Sequence, residues 1–540
     1  MVRSGWMAQV LRLVRRDRDG HRGDDDAASL GAGPPRDGAR RRVLQAGLAG
    51  ATAAGAGALA PPLLAAGPRD ARAVYARLTN IRGVAVVGAG LAGLACATEL
   101  ARNGVPARVF EAAQRVGGRC RSARGLFPGQ VAEHGAEFIG ASHHAMLGYA
   151  RALDLPLETV DAGAGQAFHH FAGQRHGEAE IAAELRAFAD FIQEDLVTLG
   201  APDAHRFDPR AEALDFMTLA EYLDLYGAGA LLRGVLDNAV RGEFGSELDE
   251  VSALGFLRFV HHDRRGKFGV GPGRGGSLRV VGGNDLIATG LAARLPQPVE
   301  HGHRLVALDR RFGGSLRLTF EAGGRYVQRD YDAVVLALPF TVLREVEFGG
   351  GIALPPSKRH AIANAEMGDA GRLLVGFRHP YWRTQGASGS GSSDLPHLQH
   401  TWETNPVRGS RSGAVLAQQL GGQAARALRP GSVQLDAAAF VASLERVLPG
   451  AAAAASRDRR GRLLASSENW SLDPLSRGAV PRPQPGYFTT LAHTEATPVE
   501  NLMFAGDHTS SFYEWQGFME GAVLSGLRAA GEACNRMWGR

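Results

Sequence analysis

The feature that most constrains this chain is a short apolar run that leads directly into a glycine-rich turn. The run Val84-Ala85-Val86-Val87 precedes Gly88-Ala89-Gly90-Leu91-Ala92-Gly93. An uninterrupted apolar run is typical of a buried parallel strand. The glycines allow a tight turn, a close approach of the backbone to a pyrophosphate, and close packing of the next helix. That helix, predicted from Leu91 to Asn103, would point free N–H groups at phosphates. The residues expected to contact a dinucleotide here are Gly88, Gly90, Leu91, Ala92 and Gly93.

A second strand and an acidic residue complete the pattern. Ala107-Arg108-Val109-Phe110 ends at Glu111, eighteen residues after Gly93. An acidic residue at this spacing accepts hydrogen bonds from ribose hydroxyls, so Glu111 and Ala112 are expected to hold a ribose. Strand, turn, helix, strand and acid in this order predict an α/β fold with a Rossmann-type domain.

The residues that follow Glu111 indicate which dinucleotide binds. Arg115-Val116-Gly117-Gly118-Arg119 forms a second glycine turn, and its final arginine can neutralise a pyrophosphate or flank a flavin. At this point the chain resembles the flavin amine oxidase family, which includes monoamine, polyamine and L-amino-acid oxidases. The resemblance covers about residues 81–535 and implies FAD as cofactor. It also implies that Gly135-Ala136-Glu137-Phe138 runs along the isoalloxazine ring.

The end of the chain resembles the same family. Leu502-Met503-Phe504-Ala505-Gly506-Asp507 reads as a buried strand, and Asp507 stands where the family has an acidic residue against the ribityl chain. Gly517-Phe518-Met519-Glu520 opens a predicted helix that continues from Val523 to Met537. A helix N-terminus near the flavin would stabilise the negative charge of the reduced ring. The strand His303 to Leu308 resembles the one whose Val306 backbone meets the adenine.

A length of 540 residues fits two domains rather than one core. We expect a discontinuous FAD-binding domain made of residues 81–145, 275–338 and 495–538. An α+β substrate-binding domain would comprise residues 146–274 and 339–494.

Aromatic side chains are the candidates for contacting a substrate. The resemblance implies two rings in front of the flavin, as in monoamine oxidases, and Phe518 matches one of them. Either Tyr487 or Phe488 would supply the other, with a one-residue slip left open. Trp402, Trp470 and Trp515 are weaker candidates for the pocket wall. Packing in the core is the alternative for each of these rings.

Three departures from the family pattern limit what can be carried over. Tyr487 stands where some monoamine oxidases have a cysteine that tethers FAD, so FAD is expected to bind noncovalently. The family places a lysine near flavin N5, whereas the nearest lysine here, Lys358, follows a proline pair. Phe138 replaces an arginine of the venom L-amino-acid oxidases, which favours amines. Ser393-Asp394-Leu395-Pro396, in contrast, resembles the amino-acid branch.

The resulting hypothesis is an FAD-dependent amine oxidase. It would transfer hydride from the amine-bearing carbon to flavin N5 and yield aldehyde, ammonia and, with oxygen as acceptor, hydrogen peroxide. The alternatives are an L-amino-acid oxidase, another FAD oxidoreductase such as a desaturase, and a non-catalytic flavoprotein. The three cysteines have no metal-ligand spacing, so no metal site is expected.

The N-terminal segment is expected to be a targeting signal rather than part of the folded domains. The first 72 residues contain twelve arginines and seven aspartates, which accounts for the whole net charge of +5. The neutral remainder gives no reason to expect nucleic acid as a partner. Arg40-Arg41-Arg42-Val43-Leu44-Gln45 and the soft apolar run after it resemble a twin-arginine signal. Residues 1–73 are therefore predicted to be a disordered leader with a signal for export to the periplasm or medium, rather than a stable membrane span.

Overall fold

The computed structural model describes residues 83–160, 165–198, 205–263, 277–405, 413–510 and 515–538. The predicted leader and its twin-arginine segment lie outside the described residues. Within these segments, no helix combines the length and the apolar character needed to cross a bilayer.

The strands, numbered β1 to β21 in chain order, are Val84–Val87, Ala107–Phe110, Ser122–Ala123, Ala132–Glu133, Leu157–Thr159, Gln166–Phe171, Gln174–Arg175, Leu278–Val280, His303–Arg310, Leu316–Ala322, Arg325–Tyr331, Ala333–Leu336, Glu347–Phe348, Met367–Gly368, Ala370–Phe377, Ala387–Ser393, His400–Glu403, Ala414–Gly421, Ala465–Asn469, Val480–Pro481 and Leu502–Phe504. The α-helices are Leu91–Arg102, His144–Ala152, Glu178–Thr198, Pro209–Phe216, Leu219–Leu225, Ala230–Phe244, Ala253–Asp263, Asp285–Ala293, Phe340–Leu343, Pro356–Asn364, Gln423–Ala427, Val433–Val447, Ala451–Ala454, Tyr487–Thr490 and Met519–Trp538. Short 3-10 turns are Leu248–Glu250, Tyr381–Gln385 and Asp507–Thr509.

A four-stranded parallel sheet carries the glycine turn. Its strand order is β2-β1-β12-β21, so it gathers strands from three separated parts of the chain. The first strand is central in the sheet, between β2 and β12, and all four of its residues are apolar and buried. The helix Leu91–Arg102 packs against the last helix so closely that a Cβ at Gly526 would lie 2.1 Å from the Ala92 carbonyl oxygen. The two ends of the described chain therefore meet at the glycine turn.

A seven-stranded sheet of order β19-β15-β18-β17-β16-β6-β7 forms the second large unit. Strands β15 and β18 pair antiparallel over eight residues and are buried along their whole length. The helix Val433–Val447 covers part of the sheet with Phe440 and Leu444. A smaller sheet of order β11-β10-β9-β13 contacts the parallel sheet through Phe320, whose ring stacks on that of Phe110 at 4.4 Å between centroids.

This architecture confirms the predicted α/β fold class, with a Rossmann-type parallel sheet and a separate mixed sheet. The residue boundaries given for the two domains remain predictions.

Candidate functional site

A cavity of about 790 Å³ lies where the parallel sheet, the seven-stranded sheet and the last helix meet. We call it the central cavity. Its wall includes the glycine turn, the segment after Glu111, strands β15 and β19, and the residues just before the last helix. Its volume is within the range of small-molecule and cofactor sites.

The three glycines of the turn differ in what they permit. A Cβ at Gly93 would lie 1.9 Å from the Gly88 carbonyl oxygen, and Gly88 itself has a φ of +103°. The fold therefore requires glycine at both position 88 and position 93. Gly90, in contrast, has an ordinary extended backbone (φ −72°, ψ 179°), and a Cβ there would meet nothing within 4 Å. Gly90 lines the cavity, so its missing side chain leaves space for a ligand.

Glu111 lines the cavity and also braces the turn. Its carboxylate accepts hydrogen bonds from the Ala89 N–H at 2.7 Å and from the Ala113 N–H at 2.8 Å. Each carboxylate oxygen retains a lone pair for a further donor, such as a ribose hydroxyl. Ala112 lines the cavity beside it, together with Leu91 and Ala92.

An ion pair links the two ends of the chain in the cavity wall. The Arg119 guanidinium donates to both carboxylate oxygens of Asp507, with Nη1 3.1 Å from Oδ2, and also to the Ala479 carbonyl oxygen. Asp507 is buried in the turn after β21, beside Gly506. These residues combine a cation and an acidic acceptor in one wall of the cavity.

The last helix begins at the cavity. Gly517, Phe518 and Met519 all line it, and Met519 is the first helical residue. Glu520 does not line it. Its carboxylate instead accepts from the Ala145 and Met146 N–H groups at 2.8 and 2.9 Å and caps another helix.

The segment expected along the isoalloxazine divides into two halves. Gly135 and Ala136 line the cavity, whereas Glu137 and Phe138 lie behind that wall. Glu137 is fully buried and pairs with Arg372. Phe138 packs in an apolar cluster, with its ring 6.1 Å from that of Trp402. Trp402 also stays out of the cavity, because it is buried in the same cluster and donates to Glu137.

The strand expected to meet the adenine reaches the cavity with residues that precede Val306. Its neighbours His303, Arg304 and Leu305 line the cavity, but Val306 does not. The contact expected of Val306 is made by its backbone rather than its side chain, so it stays a prediction.

Tyr487 and Phe488, the two candidates for the second ring in front of the flavin, do not line the cavity. Tyr487 and Phe488 are each 4% exposed and belong to the apolar core. The Tyr487 hydroxyl donates to the Glu495 carboxylate, and the Phe488 ring packs under Arg258. The cavity wall is formed instead by the stretch from Ser467 to Ala479, which includes Trp470. The structure thus brings Phe518 and Trp470, not Phe518 and Tyr487, to one cavity.

Lys358 also lies away from the cavity. Its ammonium group donates to the Thr494 and Glu495 carbonyl oxygens at 2.5 and 2.7 Å and sits 4.0 Å from the centre of the Phe504 ring. Burial lowers the pKa of Lys358 to about 7. This lysine anchors a core segment rather than facing a ligand.

Sequence reasoning missed several polar residues of the wall, notably Arg372, Gln419 and His508. Arg372 was detectable as the one charged residue in the run Ala370–Phe377, which is otherwise apolar. His508 directly follows Asp507, and burial lowers its pKa to about 4, so its imidazole is neutral near pH 7. Cys120 is the cysteine that lines the cavity, and burial raises the pKa of its thiol well above the ordinary value.

These features fit FAD. The open space at Gly90 suits a pyrophosphate next to a helix N-terminus, and Glu111 suits a ribose. The cavity continues from there to Arg119, Asp507 and the start of the last helix.

Comparison with known proteins gives the same family. The model of the flavin containing amine oxidoreductase family matches residues 91–534. AofH of Mycobacterium tuberculosis, named as a flavin-containing monoamine oxidase, is 30% identical over 466 residues, which are 83% of this chain and 96% of AofH. Human flavin-containing amine oxidase B is 25% identical over 85% of this chain and 87% of its own length.

A solved structure agrees at the level of the fold. Cyclohexylamine oxidase from Brevibacterium oxydans superposes with a TM-score of 0.70 at 22% identity, covering 84% of this chain and 99% of that enzyme. The match of the family model over most of the chain, the sequence relatives and the geometry of the cavity agree. This chain belongs to the flavin containing amine oxidoreductase family and is an amine oxidase that uses a flavin.

Proposed function

We propose that this protein binds FAD noncovalently in the central cavity and oxidises small amines with oxygen as acceptor. The observation that carries the proposal is the continuity of one cavity from the glycine turn to Phe518 and Met519. A dinucleotide bound at the turn therefore has its other end beside an aromatic side chain and a helix N-terminus.

Bound FAD would supply the redox chemistry by taking a hydride from the amine-bearing carbon and passing the two electrons to oxygen, which is reduced to hydrogen peroxide, while the imine hydrolyses to aldehyde and ammonia. The protein's part is to position the amine against the flavin, to exclude water from the site and to stabilise the charge that develops there. Phe518 is 6% exposed and Trp470 is 5% exposed, and both line the cavity with apolar ring surface. The free N–H groups at Met519 would favour negative charge nearby.

Arg372, the fully buried arginine of the cavity wall, is already occupied, which favours amines over α-amino acids. The terminal nitrogens of Arg372 donate four hydrogen bonds, to Glu137, Gln419 and the carbonyl oxygens of Glu133 and Gly135. A carboxylate anchor needs a free two-pronged donor, and this arginine offers none. The two sequence indicators, Phe138 and Ser393–Pro396, do not line the cavity and so do not bear on the choice.

Noncovalent binding is supported by the chemistry of the wall. A flavin tether through sulfur needs a thiolate, and Cys120 is held as a neutral thiol by its burial. The other cysteines, Cys96 and Cys534, do not line the cavity.

Aerobic product analysis tests the function. The purified holoprotein is incubated with primary monoamines, with diamines and polyamines, with L-amino acids, and with alicyclic compounds that lack nitrogen. We expect hydrogen peroxide and ammonia in equal amounts with at least one amine class. Peroxide formed only with L-amino acids would identify the protein as an L-amino-acid oxidase. Peroxide formed only with the nitrogen-free compounds would point to a desaturase.

We further propose that residues 40–66 direct export of the folded, FAD-loaded protein to the periplasm or medium. The support is the paired arginines followed by a weakly apolar run. Replacing Arg40 and Arg41 by Lys keeps the charge and removes the guanidinium pair. The full chain should then remain in the cytoplasm of a host that has this pathway. Undiminished arrival of the variant in the periplasm would refute the proposal.

A further inference from the structure

A buried ion pair lies next to the central cavity and joins the segment after β4 to strand β15. Glu137 follows β4 and Arg372 belongs to β15 of the seven-stranded sheet. The side chains are 0% and 3% exposed, and Arg372 Nη1 lies 2.7 Å from Glu137 Oε2. Separating such a pair leaves a charge buried alone, which is strongly unfavourable.

The two terminal nitrogens of Arg372 are held by several partners, whereas its buried Nε has none among the described residues. Besides Glu137, its terminal nitrogens donate to the Glu133 and Gly135 carbonyl oxygens and to the Gln419 side chain at 3.1–3.3 Å. The Trp402 ring lies against it, with its centre 4.7 Å from the guanidinium carbon. Because these terminal hydrogens are all engaged, Arg372 can act on a ligand through its charge but not through its terminal donors.

The pair is oriented with respect to the cavity. Arg372 lines the cavity and Glu137 does not, so the positive end of the pair is the nearer one. Arg372 also holds Gly135, which lines the cavity with Ala136. Charges in so buried a place act strongly on one another because little water screens them.

We propose that Arg372 stabilises the negative charge that bound flavin acquires on reduction, and that Glu137 limits this effect by neutralising and orienting the guanidinium. Uptake of two electrons and one proton leaves one negative charge on the ring, and a nearby cation favours that state. Glu137 is a positioning residue in this account because it acts through Arg372. The inference rests on the flavin cofactor of the proposed function.

A second ion pair in the same unit offers a matched control. Arg383 donates to both carboxylate oxygens of Glu403 at 2.9 and 3.0 Å, and Trp382 donates to the same carboxylate at 3.3 Å. The composition is that of the first pair, with arginine, glutamate and tryptophan, and Glu403 is also buried. None of these three residues lines the central cavity. Removing the Glu403 charge should therefore affect stability but not a bound flavin.

The test is the reduction potential of bound FAD, measured spectrophotometrically on the holoprotein against a reference dye with no amine present. Glu137→Gln keeps the shape and removes the ion-pair partner of Arg372, so the equilibrium between reduced and oxidised flavin should move at least tenfold toward reduced. For a two-electron couple that is a rise of about 30 mV. The double variant Glu137→Gln with Arg372→Met removes both members of the ion pair and should move the potential below that of the unmodified protein. Glu403→Gln should leave it unchanged.

Opposite shifts in the single and double variants distinguish an electrostatic role from a structural one. If Glu137→Gln and the double variant melt at lower temperatures but keep the original potential, as Glu403→Gln should, the pair is structural and the proposal is wrong. If Glu137→Gln does not fold, an unchanged potential in the double variant overturns the proposal by itself. Because no amine is used, a protein that binds FAD but oxidises no amine still gives a decisive result.

Discussion

Replacing Gly90 by Val should weaken FAD binding strongly while leaving the folded protein intact. Gly90 has a backbone conformation that any residue adopts, with φ −72° and ψ 179°. A Cβ at this position meets no protein atom within 4 Å. The new side chain would therefore occupy the space of the ligand rather than that of the protein.

The size of the effect follows from the hydrogen bonds that a displaced pyrophosphate would lose. Hydrogen bonds to a charged group contribute roughly 1.5–3 kcal/mol each. Losing one or two of them corresponds to about 3 kcal/mol, or a dissociation constant about 100-fold higher. The stability of the FAD-free protein should stay within about 1 kcal/mol, since replacing a glycine in a compatible conformation reduces the entropy of the unfolded chain.

Gly93→Ala is the matched control, since it lies three residues away in the same turn. Its Cβ would lie 1.9 Å from the Gly88 carbonyl oxygen, and that backbone atom cannot move aside freely. Forcing an extra methyl group into such a contact costs about 1–3 kcal/mol or more. This variant should lose stability with or without FAD.

Two assays decide the matter: titration of FAD into the FAD-free proteins, and thermal unfolding of the same samples. Gly90→Val should fail mainly in the first assay and Gly93→Ala in the second. The reasoning is refuted if Gly90→Val binds FAD as tightly as the unmodified protein, because the pyrophosphate would then lie elsewhere.

Three further predictions follow. Phe518→Ala should slow flavin reduction by amine about 10²-fold, because the amine loses its positioning. Phe488→Ala should instead cost roughly 3–5 kcal/mol of stability and leave the reduction rate of the folded protein nearly unchanged. Equal reduction rates of the two variants in stopped-flow measurements would contradict this. Acid precipitation should release FAD into the supernatant, and yellow colour kept in the pellet would show a covalent bond. Burial holds the pKa of His400 at about 4 against an ordinary 6.5, so the unfolded chain binds a proton here that the folded protein does not, and stability falls as the pH drops from 6.5 to 4. His400→Gln should remove up to about 3 kcal/mol of that fall, measured by urea unfolding at both ends of this range; an unchanged pH dependence would be the contrary result.

The fold and the cofactor end of the site could be predicted because short stretches of sequence specify them. The strand Val84–Val87, the glycines and Glu111 lie within 28 consecutive residues, and local rules of turn and helix geometry decide their arrangement. Asp507 and Phe518 were found far along the chain because their own neighbours form recognisable patterns. The structure places both in the wall of the central cavity.

The substrate end could not be predicted because tertiary packing determines it. Tyr487 and Phe488 are aromatic and lie near the end of the chain, yet they are covered by the helical core around Tyr222 and Phe256. Trp470 reaches the cavity because β19 pairs with β15 and carries the following residues to that wall. Arg372 was missed because the importance of a single arginine in an apolar strand depends on Glu137, which is 235 residues distant.

The most direct test of the central claim is anaerobic mixing of the FAD-bound protein with amines while the visible absorbance of the flavin is recorded. The account predicts that at least one amine bleaches the flavin and yields the corresponding aldehyde and ammonia, and that admitting oxygen restores the colour with release of hydrogen peroxide. L-Amino acids should bleach it more slowly, because Arg372 has no free pair of donors for a carboxylate. A flavin that dithionite reduces but that no amine bleaches would contradict the account and indicate a protein that holds FAD without oxidising amines.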